Sequence, residues 1–504
     1  MGTNDKPDSS FFRKITIGVV GTRAVCRDLS ARGHDVRELE RGALDTKLWK
    51  EVKRKRVRIP DLVCLRCGMR LESRAKTGPK LSMSHSDEEE RAWSFGMVDS
   101  DIVAFPVCEP VNEAYWSAGR LREGVSYWHE RNWVRWRVRP RINYVATGEL
   151  RGTPFRREKA KGVTEGSEST VSWPAVFATV DGVVESLNGE RVVIKPDTGA
   201  RRSLRLNGLR PAVPIGERVQ ANQILASAVS PFRELACPGD LPSTHVRALL
   251  SSRERTQRFT GVKVARLISD EDHQDLIGDL ERDPEEDVYI RLEAAAYLAA
   301  AGGRRVHDLF ARYLASPDDQ TRLEAVIALG EVGNEESTDL LSTMLGDGSS
   351  PYFLRSAATW CLGRVGGTQP AERLIRAFAD VDVNLRDEAL ESIASIGGDA
   401  IPVLLAGLAD MDESIAAGCA EALRRKKLPE QGILELVRQI RSATPPAWAV
   451  WLLGNLPRET VAPLIADLQD KAPGLHYALA LLWAFTESWV ARRWELVPRP
   501  EFPA

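Results

Sequence analysis

The sequence predicts a multidomain chain: an α/β amino-terminal domain, a small β-rich middle module and a carboxy-terminal α-solenoid. Three observations predict it. A pattern of Arg, Ala, aliphatic and Gly residues returns every 31 to 33 residues in the second half. Residues 171–240 hold short runs of β-branched residues separated by turn signals. Residues 1–150 mix helical and strand-like segments and are basic, unlike the remainder. A length of 504 residues fits about three domains, with 151–170 and 241–264 as linkers and 265–504 as the solenoid.

The repeat is read from its spacing. Arg291, Arg322, Arg355 and Arg386 each open a copy. Three residues on stand Ala294, Ala325, Ala358 and Ala389; seven on, Leu298, Leu329, Leu362 and Ile393; eleven on, Gly302, Gly333, Gly366 and Gly397. Offsets of three and seven share one helix face. The glycine falls where a helix C-cap is expected. Amphipathic segments such as "VHDLFARYLA" and "AERLIRAFA" lie between these helices. Each repeat is therefore a helix pair that buries its apolar face by stacking on the next. The pattern resembles HEAT repeats, in their short bacterial variety, over roughly 265–430, with a degraded copy through Ala416, Cys419 and Leu423. Helices are expected to about 495, with Trp448, Trp451, Trp483 and Trp489 capping the core. The resemblance implies a scaffold that meets a protein partner. Related phycobilisome-lyase-type repeats act on bilins, but the likeness is to the repeat and not to a site. The repeat arginines are expected to pair with acids of the next repeat.

In the middle module, Val213-x-x-Gly216-x-x-Val219 followed by Gln223-Ile224-Leu225-Ala226 resembles barrel-sandwich hybrid domains. Carriers of that fold present a lysine at a hairpin tip. Lys195 lies in "VVIKPDTG" without that context, so a docking role is expected and no lipoyl or biotinyl attachment.

In the first domain, "KITIGVV" reads as a short strand, and "TRAVCRDLSARGH" and "DTKLWKEVKRK" as helices. Residues 60–76, "PDLVCLRCGMRLESRAK", read as a hairpin with strands near 61–65 and 69–76. Ser86 is placed to N-cap a helix over "SDEEERAWSFG", and "DIVAFPV" reads as a buried strand.

Helix, strand, strand, helix, strand resembles the core order of restriction-endonuclease-like nucleases, the PD-(D/E)xK superfamily. The motif residues are Pro60-Asp61 on the first hairpin strand and Glu72 on the second. The resemblance implies that Asp61 and Glu72 hold Mg²⁺ or Mn²⁺ through oxygen ligands and that the metal activates water against a phosphodiester. The family's lysine stands two residues after the second acid. Here that position is Arg74, and Lys76 follows two further on. Strand alternation puts Glu72, Arg74 and Lys76 on one face, so Lys76 is expected to take the role. Superfamily members often add an acid from the first helix; Glu38 is the candidate, with Glu40 beside it. The implied substrate is DNA rather than RNA, in repair or anti-phage defence.

Cys64-x-x-Cys67-Gly68 has the shape of half a zinc knuckle. Cys26, His34, His85 and Cys108 are the further candidates before residue 120. Cys108, next to the strand expected beside the hairpin, is the favoured third ligand for a structural Zn²⁺. Buried free thiols are the competing reading.

Charge divides the chain. Residues 1–160 hold 32 Lys+Arg against 22 Asp+Glu; the remainder holds 37 against 49. The basic part suits a polyanion. Lys53, Arg54, Lys55 and Arg56 form a candidate phosphate-contacting patch, and Arg135 and Arg137 lie in a Trp/Arg-rich stretch suited to phosphates and bases. The rival to a nuclease is a non-catalytic adaptor that holds nucleic acid with its basic part and protein with its acidic solenoid. Seven cysteines do not make a disulfide scaffold, no apolar run nears the length of a bilayer span, and no apolar leader is seen. A cytoplasmic protein without membrane contact is expected.

Overall fold

The computed structural model describes residues 9–44, 59–89, 92–111, 136–159, 169–239, 243–302, 304–426 and 428–486. Its two units are Met1–Tyr297 and Leu298–Ala504.

The chain opens with helix α1 (Ser9–Ser30), which absorbs the expected strand at 14–20. The β-branched run loses to a helical period: Ile17, Ala24, Val25 and Leu29 fall on one buried face. Gly21 lets that helix close on the chain just past β3 and β5, since a Cβ there would lie 2.5 Å from Ala75 Cβ and 3.0 Å from Pro106.

The sheet beneath α1 uses β1 (Val36–Glu38), β2 (Leu62–Cys64), β3 (Arg70–Ser73), β5 (Ile102–Phe105) and β8 (Asn143–Ala146), in the order β1-β2-β3-β5-β8. Between them in sequence come β4 (Leu81–His85), β6 (Cys108–Pro110) and β7 (Trp136–Val138), which pair elsewhere. β1, β2 and β3 form an antiparallel meander, and β5 returns parallel to β3 with Glu72 opposite Val103. Leu71, Ile102 and Ala104 pack with Val25 and Leu29 of α1. Val103 and Phe105 point into a second core with Leu81, Met83 and Trp93. The helix expected from Ser86 is not formed in the described part of that segment, which runs through turns. Trp93 and Met97 are drawn instead into the second core, where Trp93 meets Trp173 edge-on at 5.1 Å between rings. The segment "DTKLWKEVKRK" lies outside the described residues.

Helix α2 (Thr147–Gly152) leads to β9 (Arg156–Lys159) and β10 (Ser169–Trp173), which join β4 in a three-stranded sheet. Residues 156–159, expected in a linker, are therefore a strand. The middle module follows as β11 (Ala175–Phe177), β12 (Gly182–Leu187), β13 (Arg191–Pro196), β14 (Arg202–Arg205), β15 (Arg210–Pro211), β16 (Arg218–Val219) and β17 (Ile224–Ser227). It makes two small sheets, β11-β17-β15 and β14-β13-β12-β16, and no closed barrel. The strands at their edges, β15 and β16, are two residues each, too short to zip the sheets together. Val184, Val192, Ile194 and Leu225 fill the space between. Lys195 lies within β13.

The first unit closes with α3 (Ser243–Leu250), α4 (Arg255–Leu267), α5 (Gln274–Arg282) and the start of α6 (Val288–Ala301). Buried charges tie these helices to the first sheet. Arg70 makes a bidentate pair with Asp101 at 2.8 and 2.6 Å and reaches Thr256 and Thr260 of α4 at 3.3 and 3.2 Å. Glu293 of α6, fully buried, sits between Arg41 and Arg266.

The second unit is helical: α7 (Val306–Leu314), α8 (Asp319–Val332), α9 (Glu335–Gly346), α10 (Tyr352–Val365), α11 (Thr368–Arg376), α12 (Val383–Ser395), α13 (Ala400–Gly407), α14 (Glu413–Arg425), α15 (Glu430–Ile440) and α16 (Ala447–Gly454), with further helices to Thr486. Side chains of Asp318, Asn334, Asp382 and Asp412 cap four N-termini. The repeat alanines Ala325, Ala358 and Ala389 are fully buried. Gly330 of α8 and Gly363 of α10 allow close helix contacts. A Cβ there would lie 2.7 Å from Cys361 and 2.8 Å from the Ser392 carbonyl, respectively. The repeat arginines do not pair with the next repeat as expected: Arg355 pairs with Asp380 of its own copy, Arg322 with Asp319 in the first turn of α8, and Arg291 donates to the Glu281 carbonyl. Trp483 is buried and donates to Leu456 O at 3.2 Å, and Trp448 packs edge-on against Trp451. Trp489 lies outside the described residues. Among the described residues no helix is long and apolar enough to cross a membrane.

Candidate metal centre and acidic cluster

Four ligand-type side chains converge where α1 ends. His34 Nδ1 or Nε2 and the thiols of Cys64, Cys67 and Cys237 all lie within 4.8 Å of one another. Each is delivered by a local rule. Helix α1 ends in a Schellman motif: Gly33 N–H donates to Ser30 O at 3.0 Å and His34 N–H to Leu29 O at 3.1 Å. Gly33 takes φ +86°, which a side chain would strain. That turn sets His34 just before β1. The antiparallel register Val36↔Cys64 then brings the start of β1 against the end of β2, and Leu65 N–H donates to Asp35 O at 2.8 Å. Cys64 and Cys67 flank the β2–β3 turn. There Gly68, at φ +69°, donates to Cys64 O at 2.8 Å, and Cys64 N–H donates to Met69 O at 2.9 Å.

Cys237 comes from beyond β17. Phe232 N–H donates to Tyr144 O at 2.8 Å, Leu235 packs into the α1–sheet core, and Cys237 N–H reaches Arg32 O at 3.5 Å. His34 is 4% exposed and Cys64 fully buried. His34 Nε2 donates to Leu235 O at 3.2 Å, so Nδ1 carries the lone pair, and Nδ1 lies 3.6 Å from Cys67 Sγ. A hydrogen bond from the Cys67 thiol, helped by the backbone N–H groups of Cys67 and Arg66, holds the Cys64 thiol down at about 4 against the opposing effect of burial. Cys67 moves the other way, because Cys64 keeps its proton in place.

Cys108, the favoured third ligand, is not among these four. It is buried near α1 with its thiol on Ile17 O at 3.7 Å, and burial pushes it up to about 12. Cys108 follows β5, two strands away from β2 in the sheet order, so adjacency to the hairpin does not bring it to the turn. Cys26 is likewise pushed up to about 11, by burial first and then by the Glu38 carboxylate. His85 lies in the other sheet and accepts from Trp93 N–H at 3.3 Å. Sequence reasoning missed Cys237. Its only signal was Gly239 and Pro238 beside it, in a segment that resembled nothing.

The nuclease-type residues are placed as follows. Asp61 precedes β2, and its Oδ2 accepts Ser73 N–H at 2.7 Å. Glu72 is 4% exposed and ion-paired with Arg74. Burial pulls the Arg74 guanidinium down while Glu72, Asp61 and Glu40 push it up, and the net shift is up. One cation thus stands among three acids. Lys76 lies beyond the end of β3 but in its register: Ser73↔Ala104 continues as the bridge Lys76↔Val107, with Arg74 N–H donating to Ala104 O at 2.8 Å and Lys76 N–H to Pro106 O at 3.0 Å. Its amine is pushed down to about 8, by burial first and then by Arg74 and Lys80. Ala75 lies against Gly21 of α1, on the side where Leu71 packs, so alternation continues past β3 and leaves Arg74 and Lys76 on the Glu72 side. Glu38 is not on the first helix. It ends β1 opposite Leu62, and its Oε1 accepts Leu44 N–H at 2.9 Å.

Of the basic residues, Lys53, Arg54, Lys55, Arg56 and Arg135 lie outside the described residues. Arg137 donates to Glu109 at 3.0 Å, and Arg139 shares that carboxylate at 3.2 Å.

Residues 274–355 match the family model for HEAT repeats. The carboxy-terminal region is thus of HEAT-repeat type, as its periodicity implied. No curated protein matches the chain. Among solved structures, an engineered protein is 18% identical with a TM-score of 0.24, covering 47% of this chain and 76% of its own. Human deoxyhypusine hydroxylase in complex with glycerol is 19% identical with a TM-score of 0.18, over 45% and 83%. The CpcE–CpcF complex of phycocyanin lyase from Nostoc sp. PCC7120 is 18% identical with a TM-score of 0.21, over 42% and 94%. Likenesses this distant carry no argument about activity.

Proposed function

We propose that this chain is a HEAT-repeat scaffold for a protein partner, and that its amino-terminal α/β domain has a nuclease-like layout without a working Mg²⁺ site. The match of residues 274–355 to HEAT repeats supports the scaffold. The excess of acids after residue 160 argues against nucleic acid as the solenoid's partner.

The Arg74–Glu72 ion pair carries the second half of the reading. Mg²⁺ recruits carboxylate oxygens that are otherwise left to water. Here a guanidinium already neutralises Glu72, and Asp61 accepts a backbone N–H. A divalent ion would have to displace the half-buried Arg74 guanidinium from Glu72, losing that ion pair.

The full chain, supplied with Mg²⁺ or Mn²⁺, is expected to leave single- and double-stranded DNA and RNA intact. In cross-linking of the full chain to its native partners, links are expected to concentrate between residues 274 and 454. Metal-dependent cleavage that disappears in Asp61→Asn and Glu72→Gln would overturn the non-catalytic reading. Cross-links confined to residues 1–239 would overturn the scaffold.

A nuclease is the second reading, favoured by one observation: in the β1-β2-β3 meander, with β5 parallel to β3, Asp61 just before β2 lies beside the β3 strand that carries Glu72. The same cleavage assay separates the two.

A further inference from the structure

We propose that His34, Cys64, Cys67 and Cys237 bind one structural zinc ion that fastens the segment leaving the β module to the α/β sheet. The inference is independent of whether this domain cuts nucleic acid.

The donor set is the first argument. Three thiols and one imidazole are borderline-soft ligands of the Cys₃His kind that zinc takes in structural sites. Mg²⁺ and Ca²⁺ choose oxygen instead. Four protein ligands fill a tetrahedron and leave no position for a water, which separates a structural from a catalytic zinc.

Distance is the second. Bonds of about 2.3 Å to sulfur and about 2.0–2.1 Å to nitrogen at the tetrahedral angle put those atoms about 3.6 Å apart, and two sulfurs about 3.8 Å apart. Cys67 Sγ and His34 Nδ1 are 3.6 Å apart, and no pair in the group exceeds 4.8 Å.

Orientation is the third. A ligating imidazole donates its other N–H to a carbonyl or carboxylate, which fixes the tautomer. His34 does this: Nε2 donates to Leu235 O at 3.2 Å and leaves Nδ1 for the metal. That carbonyl lies two residues before Cys237, so one short segment supplies both a ligand and the orienting group. Arg66 Nη1 donates to Gly33 O at 2.9 Å, holding the two turns that carry His34 and the cysteine pair against each other.

A disulfide between Cys64 and Cys67 would account for two of the four groups only. It gives no reason for a third thiol, and an imidazole oriented by a carbonyl 201 residues away, to converge on the same point.

The test uses the full chain purified under reducing conditions. Elemental analysis is expected to give one zinc per chain. After exchange with Co²⁺, the spectrum is expected to show tetrahedral d–d bands and thiolate-to-metal charge transfer from three sulfurs. In Cys237→Ser the charge-transfer intensity should fall by about a third, the share of one thiolate in three. His34→Ala should keep that intensity while the d–d bands shift. Should either variant fail to fold, the cobalt spectrum of the unaltered chain still counts the sulfurs. A chain that carries no zinc and takes none up when zinc is offered overturns the proposal. So does a Cys64–Cys67 disulfide found by mass spectrometry in the freshly reduced protein, or a zinc content and cobalt spectrum unchanged by both substitutions.

Discussion

His34 Nδ1 lies 3.6 Å from Cys67 Sγ, although 33 residues separate them. The contact follows from two ordinary elements, a Schellman turn and an antiparallel register. It joins the end of the first helix to the turn of the β2–β3 hairpin.

Metal removal should therefore be felt as lost stability of the first unit. A ligand present at about 100 times its Kd contributes about 2.7 kcal/mol. For the unit Met1–Tyr297 that corresponds to a fall in Tm of roughly 4 °C. Differential scanning calorimetry with and without a strong chelator, followed by zinc re-addition, checks it. An identical Tm in both conditions contradicts it.

Asp101→Asn should destabilise the first unit by about 3–5 kcal/mol, because Arg70 would keep its charge in a site 3% exposed. Urea denaturation measures the loss. A change under about 1 kcal/mol would mean that Thr256 and Thr260 suffice to hold the guanidinium.

Glu72 and Arg74 should couple. Each of Glu72→Gln and Arg74→Met leaves a buried charge with less compensation, and the double variant removes both charges. A double-mutant cycle is expected to return a coupling of about 1–3 kcal/mol. Additive single effects would contradict the ion pair as drawn.

Lys76 should make stability depend on pH in the alkaline range. Its folded amine titrates at about 8 and its unfolded amine at the ordinary 10.5. Between those values the unfolded chain binds more protons, so this group makes stability rise with pH and costs stability below 8. Lys76→Met should raise stability at pH 7.5 and flatten the rise between pH 8 and 10. Unfolding curves at pH 7.5, 9 and 10 test the slope, and an unchanged slope refutes the assignment.

Gly363→Ala should cost about 1–3 kcal/mol, since its new Cβ would fall 2.8 Å from a backbone carbonyl that has little room to move. The same change at Gly346, where nothing lies within 4 Å, should be neutral or stabilising. Thermal unfolding of the two variants side by side reads the contrast.

The solenoid was legible in the sequence because its information is local and repeated. The Ala at offset three is buried in all four copies and the Gly at offset eleven takes positive φ in the first three, though not at Gly397, and the match over 274–355 agrees. The hairpin was legible for a similar reason, with β2 and β3 inside the expected spans. The strand expected at 14–20 and the helix expected after Ser86 were not. In each, local propensity competed with burial. Ile17 and Val25 found a helical face, and Trp93 found a core beside Trp173.

What the sequence determined by itself was the Cys64-x-x-Cys67-Gly68 turn, the paired acids around it and the period of the repeats. Which partners those groups have was decided by tertiary structure. Register set His34 against the hairpin, Arg74 took Glu72 as its ion-pair partner, and the return of the chain after β17 supplied Cys237. The physical reason is range. A turn or a helix period is set by neighbours a few residues away. A four-ligand centre is set by strand pairing and burial across 201 residues, which no local pattern encodes.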